Sequence, residues 1–385
     1  MHSTLKSSDV LSSTTACLAA LCMAASWAHS GTPAGKTETA TTTESIPLDD
    51  IAASPARDSG YFTLFFDNDL FTGTDEGYTN GVRLSWMSQS HPAIDIPFVQ
   101  RSLKSLSASG SGNNPLQKIW GFRNPEKVRY SYGFSLSQLM FTPTTLTTTS
   151  PPPGEHPYVG WTSIGISLHA RDEYALNSIE LSIGTVGPHA FAEDTQDYIH
   201  DIRNIDKFQG WDSQMPNEVT INLFFNQRRR WTELTKLKLP GGLHMDGFHE
   251  TGYALGTYMT SAHVGFMVRL GWNLPVEFAD PRLTPTAHTQ KLYAGEKENE
   301  TDWSFYFIAG ARGKAIAHDI TLDGPVFRQF DTGVERRPWV LEMYAGFGVR
   351  FRDWEFSYVH TTESERFKTQ DGSRSFGALA VRKKF

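Results

Sequence analysis

Four carboxylates, Asp67, Asp69, Asp75 and Glu76, fall within ten residues of each other. Oxygen-rich clusters of this kind suit calcium, which takes carboxylate and carbonyl oxygens. The spacing is not that of an EF-hand loop, because Phe71 and Tyr78 occupy two of the positions that would have to be ligands. An ordinary acidic turn has the same composition, and the residues alone leave both readings open. A second cluster runs from Asp194 to Asp206. Asp194 is placed to cap a helix, and residues 195–209 contain no glycine or proline. Gln196 and His200 stand four apart and would share one face of that helix. Histidine beside acceptors can take a proton from water near neutral pH. With 13 histidines in the chain, an exposed surface histidine is the plainer reading of that residue. Other enzyme signatures are absent: no G-x-S-x-G elbow, no H-E-x-x-H and no phosphate-binding loop occur.

These residues need elements to carry them, and the elements show a period of two. From Trp339 to Phe351 the odd positions are Trp, Leu, Met, Ala, Phe, Val and Phe, while the even ones include Glu342, Gly346, Gly348 and Arg350. In a strand the two sets face opposite ways. The same alternation recurs around Val82–Trp86, Ile179–Ile183, Val219–Phe225, Val264–Trp272 and Trp303–Ala309. It predicts about twelve strands near 61–68, 78–88, 128–141, 158–171, 175–187, 217–231, 248–260, 262–273, 301–317, 337–351, 354–367 and 374–385. Several exceed ten residues, which fits tilted membrane-crossing strands better than the strands of a soluble sandwich. The even strand number points the same way. So do aromatics at strand ends (Tyr78, Trp86, Trp161, Trp231, Trp272, Trp303, Trp339, Trp354) and a terminal Phe385 on an apolar parity. The expected fold is all-β: a twelve-stranded antiparallel transmembrane β-barrel with a short helix in a long outer loop. If strand 1 runs outward, the outer connections are 69–77, 142–157, 188–216, 261, 318–336 and 368–373. The connections 89–127 and 274–300 then lie on the periplasmic side and are long for a barrel.

The composition agrees. The mean hydropathy is −0.37, which leaves no room for membrane helices but is what alternating strands produce. The 385 residues include 10 Trp, 13 Tyr and 25 Phe, too many aromatics for a disordered chain. A net charge of −7 gives no basis for nucleic-acid binding. Residues 1–30 read as a secretory signal peptide, with Lys6, an apolar run from Ala16 to Ala25, and cleavage expected after Ala28 or Ser30. Both cysteines, Cys17 and Cys22, fall inside it, so the secreted chain is expected to have no disulfide and no thiol nucleophile. Residues 31–58 read as a flexible arm, and residues 59–385 as the barrel that carries the site.

Asn68-Asp69, Tyr78-Thr79-Asn80-Gly81, Gly184-Thr-Val-Gly-Pro188, Gln196-x-x-x-His200 and Trp211, in this order, resemble the LpxR family of outer-membrane lipid A 3′-O-deacylases. The resemblance spans about residues 60–385, and its specific motifs lie in the first half. It implies a calcium-dependent ester hydrolase that removes the 3′ acyloxyacyl chain. His200 would activate water, calcium near Asp69 would stabilise the oxyanion, and Asn68, Thr79 and Gln196 would line the site. Asp206 fits the acidic position six residues after the histidine, and with Asp69 is the expected metal pair. The resemblance also implies the outer membrane as location, a site facing the outer leaflet, and lipid A or lipopolysaccharide and membrane lipids as partners of a monomer. One departure stands out: the family's basic pair in the second outer loop has no counterpart, because residues 142–156 contain no Lys or Arg. Two other functions remain in view: a non-enzymatic barrel, pore or structural, and a serine-type outer-membrane phospholipase.

Overall fold

In the computed structural model, the alternation closes into a barrel of twelve antiparallel strands. The structure describes residues 59–69, 77–91, 121–123, 127–145, 147–204, 206–237, 239–275, 280–283 and 302–385, without the side chains of residues 77–79 and 203. The chain divides into two units, Met1–Pro47 and Leu48–Phe385. The first, with the expected signal peptide and most of the arm, lies outside the described residues.

The strands are β1 (Tyr61–Asn68), β2 (Gly77–Met87), β3 (Arg129–Thr142), β4 (Val159–Arg171), β5 (Ala175–Val186) and β6 (Glu218–Arg230), followed by β7 (His244–Gly256), β8 (Met259–Trp272), β9 (Trp303–Asp319), β10 (Trp339–Phe351), β11 (Trp354–Glu363) and β12 (Arg374–Lys384). Each pairs with its neighbour in sequence, and β1 closes on β12. Among the described residues no helix is long and apolar enough to cross a membrane.

The two faces separate cleanly. One register row runs Leu64–Leu84–Leu136–Ile164–Ile183–Ile221 across six strands. All six side chains are exposed. In a membrane barrel such a ring meets lipid rather than water. The opposite parity is buried and polar. Arg83 donates to both Glu180 oxygens at 2.8 and 2.7 Å, Arg312 binds Glu250 at 2.6 Å, and Arg382 binds Glu355 at 2.7 Å. The Arg282, Arg312 and Glu250 side chains are at most 1% exposed. These buried ion pairs line the lumen side of the wall among the described residues.

Aromatic girdles appear as expected at Trp272, Trp303, Trp339 and Trp354, all exposed. Trp161 does not join them. It has the lumen parity of β4, is 4% exposed, stacks on Tyr258 at 3.9 Å and donates to Thr220. Closeness to a strand end does not decide which face a residue takes; parity does. Through this stack the hairpin between β7 and β8 folds over the barrel mouth. The turn is Thr257–Tyr258 rather than residue 261, and β7 begins at His244 rather than 248, just after the Pro240–Gly242 bend.

The chain ends at the seam. Gly60 and Phe385 exchange both backbone hydrogen bonds, at 3.2 and 3.1 Å. Lys383, an unusual residue on the apolar parity, lies over the Trp354 ring at 5.1 Å.

The loop between β3 and β4, 143–158, is fastened to the loop between β11 and β12. His156 stacks on Phe141 and meets Phe367 edge-on, and Thr369 donates to the Gly154 carbonyl at 2.7 Å. Burial, reinforced by the Arg366 guanidinium, pushes the His156 imidazole down to about 3. In the unfolded loop it titrates near 6.5. The opened loop therefore binds a proton that the closed loop excludes, and the closed state is lost as pH falls from about 6.5 towards 3. Protection against hydrogen exchange over residues 143–158, taken relative to the intrinsic rate at each pH, should fall between pH 7 and 4, and His156→Phe should remove that dependence. Exchange rates that follow only the intrinsic chemistry in both proteins would refute it.

Candidate functional site

The outward parity of the first four strands changes character as it rises. From the exposed Leu64–Leu84–Leu136–Ile164 row, the next positions up are Phe66, Val82, Gln138 and Thr162, half-buried. The row above is Asn68, Asn80, Met140 and Gly160, which is buried. A residue can be outward-facing and buried only when something covers the wall. Over Met140 and Gly160 the cover is the loop between β5 and β6, with its helix α1 (Ala192–Arg203).

Helix α1 starts earlier than its sequence suggests. Phe191, not Asp194, stands at its N-cap, in the left-handed region at φ 55 and without a side-chain cap. Such a backbone is costly for an aromatic residue and persists only where its surroundings enforce it. The enforcement is local. Gln138 Nε2 donates to the Ala190 carbonyl at 2.7 Å and to the Phe191 carbonyl at 3.2 Å, and Thr162 Oγ1 donates to Ala190 at 2.7 Å. Ala190 and Ala192 press onto Gly160 so closely that a Cβ there would lie 2.5 Å from Ala192 Cβ. Asp194 falls in the first turn, where its charge suits the helix dipole. The helix ends at Arg203, with Asn204 left-handed at φ 54.

The expected face of α1 forms. Gln196 and His200 are both buried. Trp211 Nε1 donates to Gln196 Oε1 at 2.7 Å, which turns the Gln196 amide group the other way. Gln196 Nε2 is buried with no hydrogen-bond partner among the described residues. His200 Nδ1 is 2.7 Å from the Asp206 carbonyl. A carbonyl only accepts, so Nδ1 carries a proton, and in the neutral ring Nε2 keeps its lone pair. Phe208 lies beside the His200 ring at 5.8 Å. Phe208, Trp211, Tyr158, Met140 and Ala192 form the apolar cluster that seats the loop. Lys207 ties the loop's return to α1 through Asp197 at 3.3 Å and Asp201 at 3.0 Å.

The remaining expected residues fall as follows. Asn68 and Asp69 are buried at the top of β1. Asn68 lies in the covered row opposite Asn80, which pairs with Met140 under the loop. Thr79 sits at the register shift between β2 and β3, a bulge of the kind that re-aims a side chain. Its side chain lies outside the described residues, as do Asp75 and Glu76. Asp206 is exposed and meets His200 through its backbone carbonyl. Asp67, next to Asn68, takes the lumen parity and is fully buried. Gln138, Thr162 and Gly160, which hold α1, carry a signal that went unused in the sequence: polar or small residues on a lipid-facing parity.

Among the described residues no group of three or more His, Cys, Asp or Glu is arranged to hold a metal. The donor chemistry nevertheless suits calcium: the Asp69 carboxylate, the Asn68 amide, and Asn80 Oδ1, buried without a hydrogen-bond partner among the described residues.

A Ser–His arrangement also occurs, away from lipid. His169 lies 2.8 Å from Ser178 Oγ and 3.0 Å from Ser167 Oγ. All three are buried, and His169 and Ser167 take the lumen parity of β4.

Comparison with known proteins places the chain among outer-membrane proteins. A family model described as outer membrane protein LpxR matches residues 17–385. LpxR from Salmonella typhimurium superimposes with a TM-score of 0.63 at 15% identity, covering 84% of this chain and 100% of that one. The beta domain of the Bordetella autotransporter Brka gives a TM-score of 0.38 at 8% identity, covering 85% and 99%. The translocator domain of autotransporter NalP from Neisseria meningitidis gives 0.34 at 8%, covering 88% and 92%. No curated protein matches the sequence.

Proposed function

Because the chain belongs to the LpxR family of outer-membrane proteins, we propose that it is a calcium-dependent lipid A deacylase that hydrolyses the 3′ acyloxyacyl ester from the outer leaflet. The observation that carries this reading is a polar patch on the lipid-facing parity of the wall: half-buried Gln138 and Thr162 stand directly above Leu136 and Ile164, and buried Asn68 and Asn80 lie one row higher on β1 and β2. A soluble substrate would have no reason to be read there. An ester whose acyl chains lie in the leaflet reaches it sideways, with its carbonyl at the height of Asn68 and α1.

Each side chain then has a task. His200 Nε2, freed by the Nδ1–H bond to Asp206, takes a proton from water as the water oxygen attacks the ester carbon. The same proton passes to the departing sugar oxygen. Gln196 Nε2, held by Trp211, donates to the ester carbonyl oxygen as negative charge gathers on it. Asn68 and Thr79 orient water and substrate. Asp69, with Asn68 and Asn80, would hold calcium, and Asp206 would add charge from the loop. Bound calcium would supply positive charge against the ester oxygen. Ion pairs buried on the lumen side, such as Arg312–Glu250, are unlike the wall of a wide water-filled pore, and the inward-facing His169 network speaks against a serine hydrolase working on lipid.

The test is mass spectrometry of lipid A from cells with and without the protein. One acyloxyacyl unit should be lost at the 3′ position. In detergent, chelation should lower the rate by about tenfold or more, and calcium should restore it. Unchanged lipid A in cells that carry the folded barrel would defeat the proposal.

A further inference from the structure

The connection between β8 and β9 leaves Trp272 on one side of the membrane, yet Asp280–Leu283 lies inside the barrel. All four residues are buried. Arg282 binds the Asp280 carboxylate at 2.7 and 3.0 Å and lies over the Tyr344 ring at 3.7 Å. Arg228 reaches both Asp280, at 2.8 Å, and Glu250, at 3.0 Å. The Leu283 side chain joins the cluster of Phe65, Phe141 and Trp161 beneath the site. Its backbone N–H donates to Asp67 Oδ2 at 3.2 Å.

Asp67 is the residue before Asn68, on the opposite face of β1. Successive residues of a strand point to opposite faces, so what fixes one from the lumen fixes the backbone that aims the next. We propose that Asp280–Leu283 is an internal strut: held by Arg282, it clamps Asp67 from the lumen and so positions Asn68 and Asp69 for the reaction proposed above. Asp67 and Arg282 are positioning residues that touch neither substrate nor metal. The inference rests on the proposed function for its catalytic consequence, though not for its structural one.

The experiment uses the full-length protein in detergent with lipopolysaccharide and calcium. Arg282→Met should lower kcat by about tenfold to a hundredfold with KM little changed, since small displacements of a catalytic group have effects of that size. Arg282→Lys, which keeps a charge in the network, should restore most of it. Arg269→Met is the control, because Arg269 is an equally buried lumen arginine paired with Asp246 at 2.6 Å; its kcat should stay at the wild-type value. Hydrogen exchange of the peptide spanning Asp67–Asp69 should rise in Arg282→Met and not in the control. Wild-type kcat and exchange in Arg282→Met, or equal falls in both methionine variants, would overturn the strut. If Arg282→Met does not fold, Asp67→Ala removes the acceptor without disturbing the ion pairs. It should show the same fall in kcat, and a wild-type rate there would also overturn the proposal. If the wild-type protein releases no acyl chain, the deacylase reading fails, and the exchange experiment alone decides the strut.

Discussion

His200→Ala should lower acyl-chain release by about a thousandfold while the barrel stays folded and KM stays near its wild-type value, since a positioned general base contributes on that scale. The expectation follows from one hydrogen bond. With Nδ1–H given to the Asp206 carbonyl at 2.7 Å, the ring presents Nε2 as a base in a fixed orientation. Alanine removes the base and leaves the seat of α1 intact, because Gln138, Thr162 and Trp211 hold the loop without help from the histidine. Glutamine at position 200 could keep a bond to Asp206 but could not accept a proton at neutral pH, so it should be as inactive as alanine. Activity close to wild type in either variant would remove His200 from the mechanism.

Gly160→Leu should have the next largest effect, about a hundredfold or more in kcat, through displacement alone. The Cβ of any residue there would stand 2.5 Å from Ala192 Cβ and 3.2 Å from Ala190 Cβ. Strand β4 is held on both sides by β3 and β5, so the helix must yield. Lifting α1 breaks the bonds of Gln138 and Thr162 to Ala190 and carries Gln196 and His200 off the wall. The barrel should not suffer, since an uncovered leucine at an outward position is an ordinary lipid-facing residue. Activity and barrel stability should therefore separate. Gel migration of the unheated protein reports the folded barrel, and acyl release from lipopolysaccharide reports the site. A fully active Gly160→Leu protein would show that α1 does not carry the chemistry.

The barrel itself was largely legible because lipid and lumen impose opposite demands on alternate residues, and twelve such alternations stand in the sequence. Strand ends near polar turns were placed within a few residues. The errors have local causes. Position along the strand groups Trp161 with the girdles, whereas its parity assigns it to the lumen. Helix α1 was expected three residues later, because no local pattern announces that Ala190 and Ala192 will be drawn down onto Gly160. At the candidate site, Gln196 and His200 share a face as their spacing requires. The fastening residues Gln138 and Thr162 were readable as polar positions on a lipid-facing parity. The strut was not readable at all. Leu283 meets Asp67 across 216 residues of sequence, and nothing near either residue indicates the other.

The closure of the barrel bears on when the protein can act. Asn68 has Gly377 of β12 on one side and Asn80 of β2 on the other. The first and last strands meet there, and Gly60 and Phe385 lock the joint. In an unfinished barrel, β1 would be a free edge, with Asn68 and Asp69 on a frayed margin. Under the proposed function, assembly and competence are thus one event: the last pairing that makes the protein a barrel also completes the proposed site.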